Sequence, residues 1–119
     1  MATILLVEDA PANLALARKL LCAAHYVVLT AETAETGLKL ARERLPDLVL
    51  LDLGLPGMDG WQALSELRAD PVTAELRVVA FTAHAMLGDD GRALEAGFDG
   101  YLSKPIDFAT FSDSVGELL

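Results

Sequence analysis

Continuous apolar runs alternate along this chain with segments in which apolar residues recur every three or four positions. Short apolar runs bounded by polar residues are typical of buried strands, and strands that are apolar throughout are expected when helices cover both faces of a parallel sheet. The runs predict five strands, at residues 4–7, 27–29, 48–51, 78–81 and 101–103. The chain is therefore predicted to build a parallel sheet between two helical layers.

The segments between the strands predict five helices, at residues 11–24, 34–45, 61–67, 87–96 and 108–118. Pro11 suits the first turn of the first helix, because that position needs no backbone N–H. Thr33 and Asp107 are candidate N-caps, and Gly97 is a candidate left-handed end for the fourth helix. Strict alternation of strands and helices predicts a doubly wound α/β sandwich, and a length of 119 residues suits one domain, 1–119.

Composition excludes several classes of function. The net charge of −9 argues against direct binding of nucleic acid, which depends on neutralising phosphates with Lys and Arg. No apolar run is long enough to cross a membrane and no signal peptide is visible, so we expect a cytoplasmic protein without membrane contacts. The single cysteine, Cys22, is expected to be buried and inert. Five glycines are assigned turn and termination roles: Gly37, Gly57, Gly60, Gly97 and Gly100.

Four of the predicted strands end on residues that carry chemistry. The first strand leads into Glu8 and Asp9, the third into Asp52, the fourth into Thr82, and the fifth into Lys104. Open α/β sheets bind ligands at the carboxyl ends of their strands, so these side chains are expected to converge. Clustered carboxylates suit Mg²⁺, which prefers oxygen ligands and keeps waters that a phosphate can replace. The pattern predicts a site that places a phosphoryl group on Asp52.

The chain resembles the response-regulator receiver domains of two-component signalling over essentially its whole length. The segments that carry the resemblance are residues 4–9, 52–60, 81–83 and 101–105, and their order and spacing are specific although no single segment is. The resemblance implies a flavodoxin-like, five-stranded parallel sheet of strand order 2-1-3-4-5 with five helices, in which the whole chain is one receiver domain.

The resemblance also implies the roles of the acidic residues. Asp52 is the phosphoacceptor, and Mg²⁺ is expected to be held by Asp9, Asp52 and the backbone carbonyl of Gly54, with Glu8 acting through water. Alternatives from the residues alone stay open here. Glu8 and Asp9 before Pro11 are also typical of a helix cap, and Asp52 could simply cap the loop that follows it.

The remaining site residues follow from the same resemblance. Lys104 would bind a phosphoryl oxygen, and a cis bond to Pro105 would hold it over the pocket. Thr82 would bond the new phosphate, and Tyr101 would move into the space that Thr82 leaves, so the two form a switch. Taken alone, Lys104 is also typical of a solvated surface residue, and Tyr101 of an ordinary strand tyrosine.

The function implied is a phosphorylation-dependent signalling switch. A sensor histidine kinase or a histidine phosphotransfer protein donates the phosphoryl group, and the face formed by the predicted fourth helix, fifth strand and fifth helix binds a downstream protein. The domain assists its own phosphorylation and dephosphorylation and is not an enzyme acting on free substrates. Gly54 leaves the pocket mouth open to water.

Four alternatives compete with this function. The chain could be a receiver excised from a larger regulator or hybrid kinase, or a degenerate receiver used only for docking. A haloacid-dehalogenase-type phosphatase would need an acid where the chain has Gly54. A flavin-binding electron carrier would need a phosphate-binding loop where the chain has Glu8 and Asp9.

Overall fold

Five parallel strands form one sheet in the order β2-β1-β3-β4-β5, which confirms the predicted fold class. The computed structural model describes residues 2–82, 95–103 and 110–119, without the side chains of Thr82 and Ser103. The strands are β1 (Thr3–Val7), β2 (Val27–Ala31), β3 (Leu48–Asp52), β4 (Val78–Thr82) and β5 (Gly100–Ser103). The described helices are α1 (Pro11–Ala23), α2 (Ala34–Arg44), α3 (Gly60–Ala69) and a C-terminal helix (Phe111–Leu118).

Each strand sends alternate side chains to opposite faces of the sheet, and both faces are buried. On one face α2 and α3 cover a core built on residues such as Leu5, Val49 and Leu51. On the other, α1 and the C-terminal helix cover a core that includes Ile4 and Leu50. Because both faces are covered, the strands are apolar throughout, as the sequence predicted.

Several helix ends match the signals in the sequence. α1 begins at Pro11, and the Thr33 hydroxyl accepts a hydrogen bond from the backbone N–H of Thr36 at 3.2 Å, which caps α2. Residues 95–96 are helical, and Gly97 follows them at φ 113°, a left-handed conformation that favours glycine. The rest of the predicted fourth helix lies outside the described residues.

Three expectations need correction or fall outside the structure. The C-terminal helix begins at Phe111, with Thr110 at its N-cap position, three residues later than predicted, and Asp107 lies outside the described residues. Cys22 is exposed, not buried, because Leu21 faces the core and the next residue of a helix points about 100° away. No described helix is long and apolar enough to cross a membrane.

Candidate functional site

The ends of β1 and β3 bring three carboxylates together. In the sheet Val7 pairs with Leu51, so Glu8, which follows β1, and Asp52, the last residue of β3, lie side by side. Single carboxylate oxygens of Glu8, Asp9 and Asp52 all lie within 4.8 Å of one another. Glu8 and Asp52 are buried, and Asp9 is exposed. The sequence predicted this convergence from the strand ends alone.

Backbone hydrogen bonds hold the two buried acids in place. The N–H of Glu8 donates to the carbonyl of Ala31 at 3.0 Å, which extends the pairing of β1 with β2 by one residue. Glu8 Oε1 accepts from the N–H of Ala10 at 3.3 Å, and Asp52 Oδ1 accepts from the N–H of Gly54 at 2.9 Å. These bonds orient carboxylates that are anchored on buried strands, so the cluster stands on rigid elements.

The geometry bears on the two capping alternatives. The N-cap residue of α1 is Ala10, so neither Glu8 nor Asp9 occupies that capping position. The bond from Gly54 to Asp52 is the loop-capping bond that the second alternative predicts. Asp52 makes it and also belongs to the acid cluster, so loop capping does not exclude the chemical role.

The loop after Asp52 returns to the end of β3 through a close backbone contact that the sequence analysis missed. A Cβ atom on Gly60 would lie 2.4 Å from the carbonyl oxygen of Asp52 and 2.7 Å from Cα of Leu53. Gly60 therefore allows close packing of α3 against β3. The prediction that it serves a turn is wrong. Asp59 caps α3 by accepting from the N–H of Gln62 at 2.9 Å.

Other predicted site residues are described only in part. Asp52 pairs with Phe81, so Thr82 lies one residue further along the same edge, paired with Ser103. Tyr101 lies on β5, is half-buried, and packs against the core beneath α2 and α3. Lys104 and Pro105 lie outside the described residues, as does the proposed cis bond between them.

The acid cluster fits a divalent cation by its chemistry. Carboxylate oxygens are the ligands that Mg²⁺ and Ca²⁺ prefer, and the three groups converge from two elements. Three carboxylates at this separation repel one another, and a bound cation would offset that repulsion. Charge and donor type therefore point to Mg²⁺ or a similar hard cation at this edge.

Comparisons with known proteins agree with the fold and identify the family. The family model of the response regulator receiver domain matches residues 4–115. The response regulator PleD of Caulobacter vibrioides is 43% identical over 106 residues, which are 89% of this chain and 23% of PleD. The polar-differentiation response regulator DivK of Brucella ovis is 35% identical over 117 residues, which are 98% of this chain and 95% of DivK.

A solved structure adds information on the metal. The receiver domain of the sensor histidine kinase PA1611 from Pseudomonas aeruginosa PAO1 is 32% identical and superposes with a TM-score of 0.88, covering 98% of this chain and 96% of that one. That crystal structure has a magnesium ion coordinated in the active-site cleft. Receiver domains are signalling domains in which phosphorylation and Mg²⁺ binding are typical. Since the family model leaves only three residues before its match and four after it, this chain belongs to the response regulator receiver domains of two-component signalling.

Proposed function

We propose that this chain is a phosphorylation-dependent switch in which Asp52 accepts a phosphoryl group with the help of Mg²⁺. The observation that carries the proposal is the acid cluster, in which oxygens of Glu8, Asp9 and Asp52 lie within 4.8 Å of one another at the carboxyl edge of the sheet. Membership of the receiver family supports the same function. The donor would be a sensor histidine kinase or a histidine phosphotransfer protein.

The proposed metal ligands are Asp9, Asp52 and the carbonyl oxygen of Gly54, with Glu8 bound through water. When bound, Mg²⁺ supplies positive charge between the acceptor carboxylate and the incoming phosphoryl oxygens, which otherwise repel each other. The bond from the N–H of Gly54 to Asp52 Oδ1 fixes the rotamer of the acceptor. The acceptor is thus oriented before the donor arrives.

The transfer itself is an in-line displacement at phosphorus. A carboxylate oxygen of Asp52 forms the new bond to phosphorus, the bond from phosphorus to the donor histidine nitrogen breaks, and its electron pair leaves with the imidazole. In this proposal the Lys104 ammonium holds a phosphoryl oxygen and the Thr82 hydroxyl donates a hydrogen bond to another. Hydrolysis of the acyl phosphate by water returns Asp52 to its free form.

The proposed output is a change in a protein-binding face. Thr82 and Tyr101 lie on neighbouring strands, and Ala80, two residues before Thr82, pairs with Tyr101. Tyr101 is half-buried, and we propose that its ring exchanges between an inner and an outer position when Thr82 bonds the phosphate. We propose that this exchange alters the face around β5 and the C-terminal helix, where a downstream protein binds.

Two organisations of the protein fit this proposal. The chain matches nearly the whole of DivK and spans only 23% of PleD. A free-standing regulator and a module of a larger regulator or kinase would use the same site, and we propose that residues 1–119 form one receiver domain in either case.

Incubation with acetyl phosphate and Mg²⁺, followed by intact-mass measurement, tests the assignment. We expect the mass of one phosphate on the wild type, and none on Asp52→Ala or on the wild type in EDTA. Asp59→Asn is the matched control, because Asp59 lies in the same loop but caps α3, a role that Asn also fills. Phosphate that persists on Asp52→Ala, or that forms equally well in EDTA, would refute the proposal.

A further inference from the structure

Helices α2 and α3 lie side by side on one face of the sheet and leave a groove between them. The groove holds a cavity of about 220 Å³. Leu38 and Leu67 line it, together with Thr73, whose hydroxyl donates to the carbonyl of Leu67 at 2.7 Å. Nothing in the proposed phosphoryl chemistry uses this groove.

The charges along the groove are separated by helix. Lys39 and Arg42 line its α2 side, and Glu66 and Asp70 line its α3 side. An ion pair of 2.5 Å between Arg42 and Asp70 joins the two helices and marks one height along their axes at which they are in contact. Both helices connect parallel strands and so run in the same direction. Lys39 lies about 4.5 Å and Glu66 about 6 Å back from that point, at closely similar heights.

Exposed apolar groups follow the Arg42–Asp70 pair just beyond the ends of both helices. Leu45, three residues after Arg42, is 53% exposed, and Val72, two residues after Asp70, is 46% exposed. In the described part of the chain the third large hydrophobic residue with this degree of exposure is Val27, on β2. Two of the three therefore follow the ends of the helices that form the groove, where a partner could cover them.

We propose that this groove is the interface for a second copy of the chain, related by a two-fold axis that runs parallel to α2 and α3. Such an axis lays α2 of one copy over α3 of the other and keeps every residue at its own height. Lys39 then faces Glu66 of the second copy, Arg42 faces Asp70, and Leu45 faces Val72. A two-fold axis perpendicular to the helices would instead set α2 on α2, with like charges opposite each other.

Charge also explains why this face suits a copy of an acidic chain. Two copies with a net charge of −9 each repel one another over most of their surfaces. Along this groove two basic and two acidic side chains balance, and their order makes the face complementary to itself. Lys39 and Glu66 are exposed, and among the described residues no ion pair joins them within one copy.

Charge reversal tests the interface, using sedimentation analysis of unphosphorylated protein in EDTA over a range of concentrations. Lys39→Glu places two Glu–Glu contacts in the dimer, and Glu66→Lys places two Lys–Lys contacts. We expect each variant to raise the dimer dissociation constant by about tenfold or more. An equimolar mixture of the two variants restores both opposite-charge contacts, so it should form a heterodimer that neither variant forms alone, detectable by native mass spectrometry.

The controls are Lys19→Glu on α1 and Glu117→Lys on the C-terminal helix, which change the net charge equally on the opposite face of the sheet. Both should associate like the wild type. A wild type that stays monomeric at every concentration, a Lys39→Glu variant that dimerises normally, or a mixture that forms no heterodimer would each overturn the proposal. None of these results depends on whether Asp52 accepts phosphate.

Discussion

The two edges of the sheet differ in whether their charged side chains are compensated by partners of opposite charge. At the carboxyl edge, three acids are gathered within 4.8 Å of one another. At the amino edge, one guanidinium is surrounded by acceptors. Arg68 of α3 donates to the carbonyls of Gly97, Ala74 and Leu76 at 2.7–3.3 Å, and it pairs with the carboxylate of Asp99 at 3.1 Å.

This difference indicates that the amino edge contributes to stability and the carboxyl edge to function. Asp99 accepts from the N–H of Val78 at 2.9 Å with the oxygen that faces Arg68, so the amino edge joins α3, β4 and the start of β5 in one compensated network. The carboxyl edge holds like charges close together, an arrangement that disfavours folding and favours binding of a cation. We therefore expect mutations at the amino edge to lower stability, and mutations at the carboxyl edge to change chemistry.

The largest expected effect is on Arg68. Arg68→Ala removes the guanidinium that donates to three carbonyl groups and to the Asp99 carboxylate, and the Arg68 side chain is only 26% exposed. We expect the free energy of unfolding to fall by about 2–4 kcal/mol in urea denaturation. Phosphorylation of the folded fraction by acetyl phosphate should remain complete, because the network lies at the other edge.

Arg42→Ala is the matched control for Arg68→Ala. Arg42 also pairs with an aspartate, but its side chain is 62% exposed, so its loss should cost at most about 1 kcal/mol. Equal destabilisation by the two substitutions would show that the amino-edge network contributes no more to the free energy of unfolding than an exposed ion pair does.

The next largest effect is expected at Gly60. A Cβ atom there would lie 2.4 Å from the Asp52 carbonyl oxygen, so Gly60→Ala must move α3 away from the end of β3. We expect a loss of about 1–3 kcal/mol in the free energy of unfolding, together with slower phosphorylation of Asp52.

Gly54→Ala is the contrast for Gly60→Ala within the same loop. A Cβ atom on Gly54 meets only Asp52 Oδ1, at an ordinary distance of 3.7 Å, so stability should change by less than about 0.5 kcal/mol. If Gly60→Ala behaves like Gly54→Ala in urea denaturation and phosphorylation, the close packing of α3 on β3 is unimportant.

The smallest predicted effect is kinetic and concerns Gly54→Arg. The space at Gly54 accepts a side chain beside Asp52, where it would hinder water from reaching the acyl phosphate. We expect spontaneous dephosphorylation to slow by about two- to fivefold. The rate is measured from the decay of the phosphorylated mass after the phosphate donor is removed. An unchanged decay rate would show that access at Gly54 does not set the lifetime.

Sequence patterns predicted the carboxyl edge far better than the amino edge, for a physical reason. Glu8, Asp9 and Asp52 each follow an apolar run, and parallel strands necessarily bring their ends to one edge. Arg68 binds mostly backbone carbonyls, which any residue provides, so no local pattern marks its partners.

Local sequence signals predicted two of the helix ends but not the role of Gly60 or the exposure of Cys22. The Thr33 cap could be predicted because a hydroxyl stands just before a periodic segment, and Gly97 because glycine is favoured at left-handed helix ends. The role of Gly60 could not, since its need for glycine comes from the backbone at Asp52, which approaches only after folding. The prediction that Cys22 is buried was wrong, because the composition of the surrounding segment does not determine which side of the helix a residue faces.

Thermal unfolding with and without Mg²⁺ tests most directly the claim that the three acids share one cation, using the wild type, Asp9→Asn and the loop control Asp59→Asn. At ten times the dissociation constant, Mg²⁺ should stabilise the wild type and Asp59→Asn by about 1.4 kcal/mol, roughly 5 °C in Tm. Asp9→Asn should unfold above the wild type in EDTA, because one repulsive charge is gone, and below it in Mg²⁺. Equal Mg²⁺ shifts for the wild type and Asp9→Asn would contradict the account.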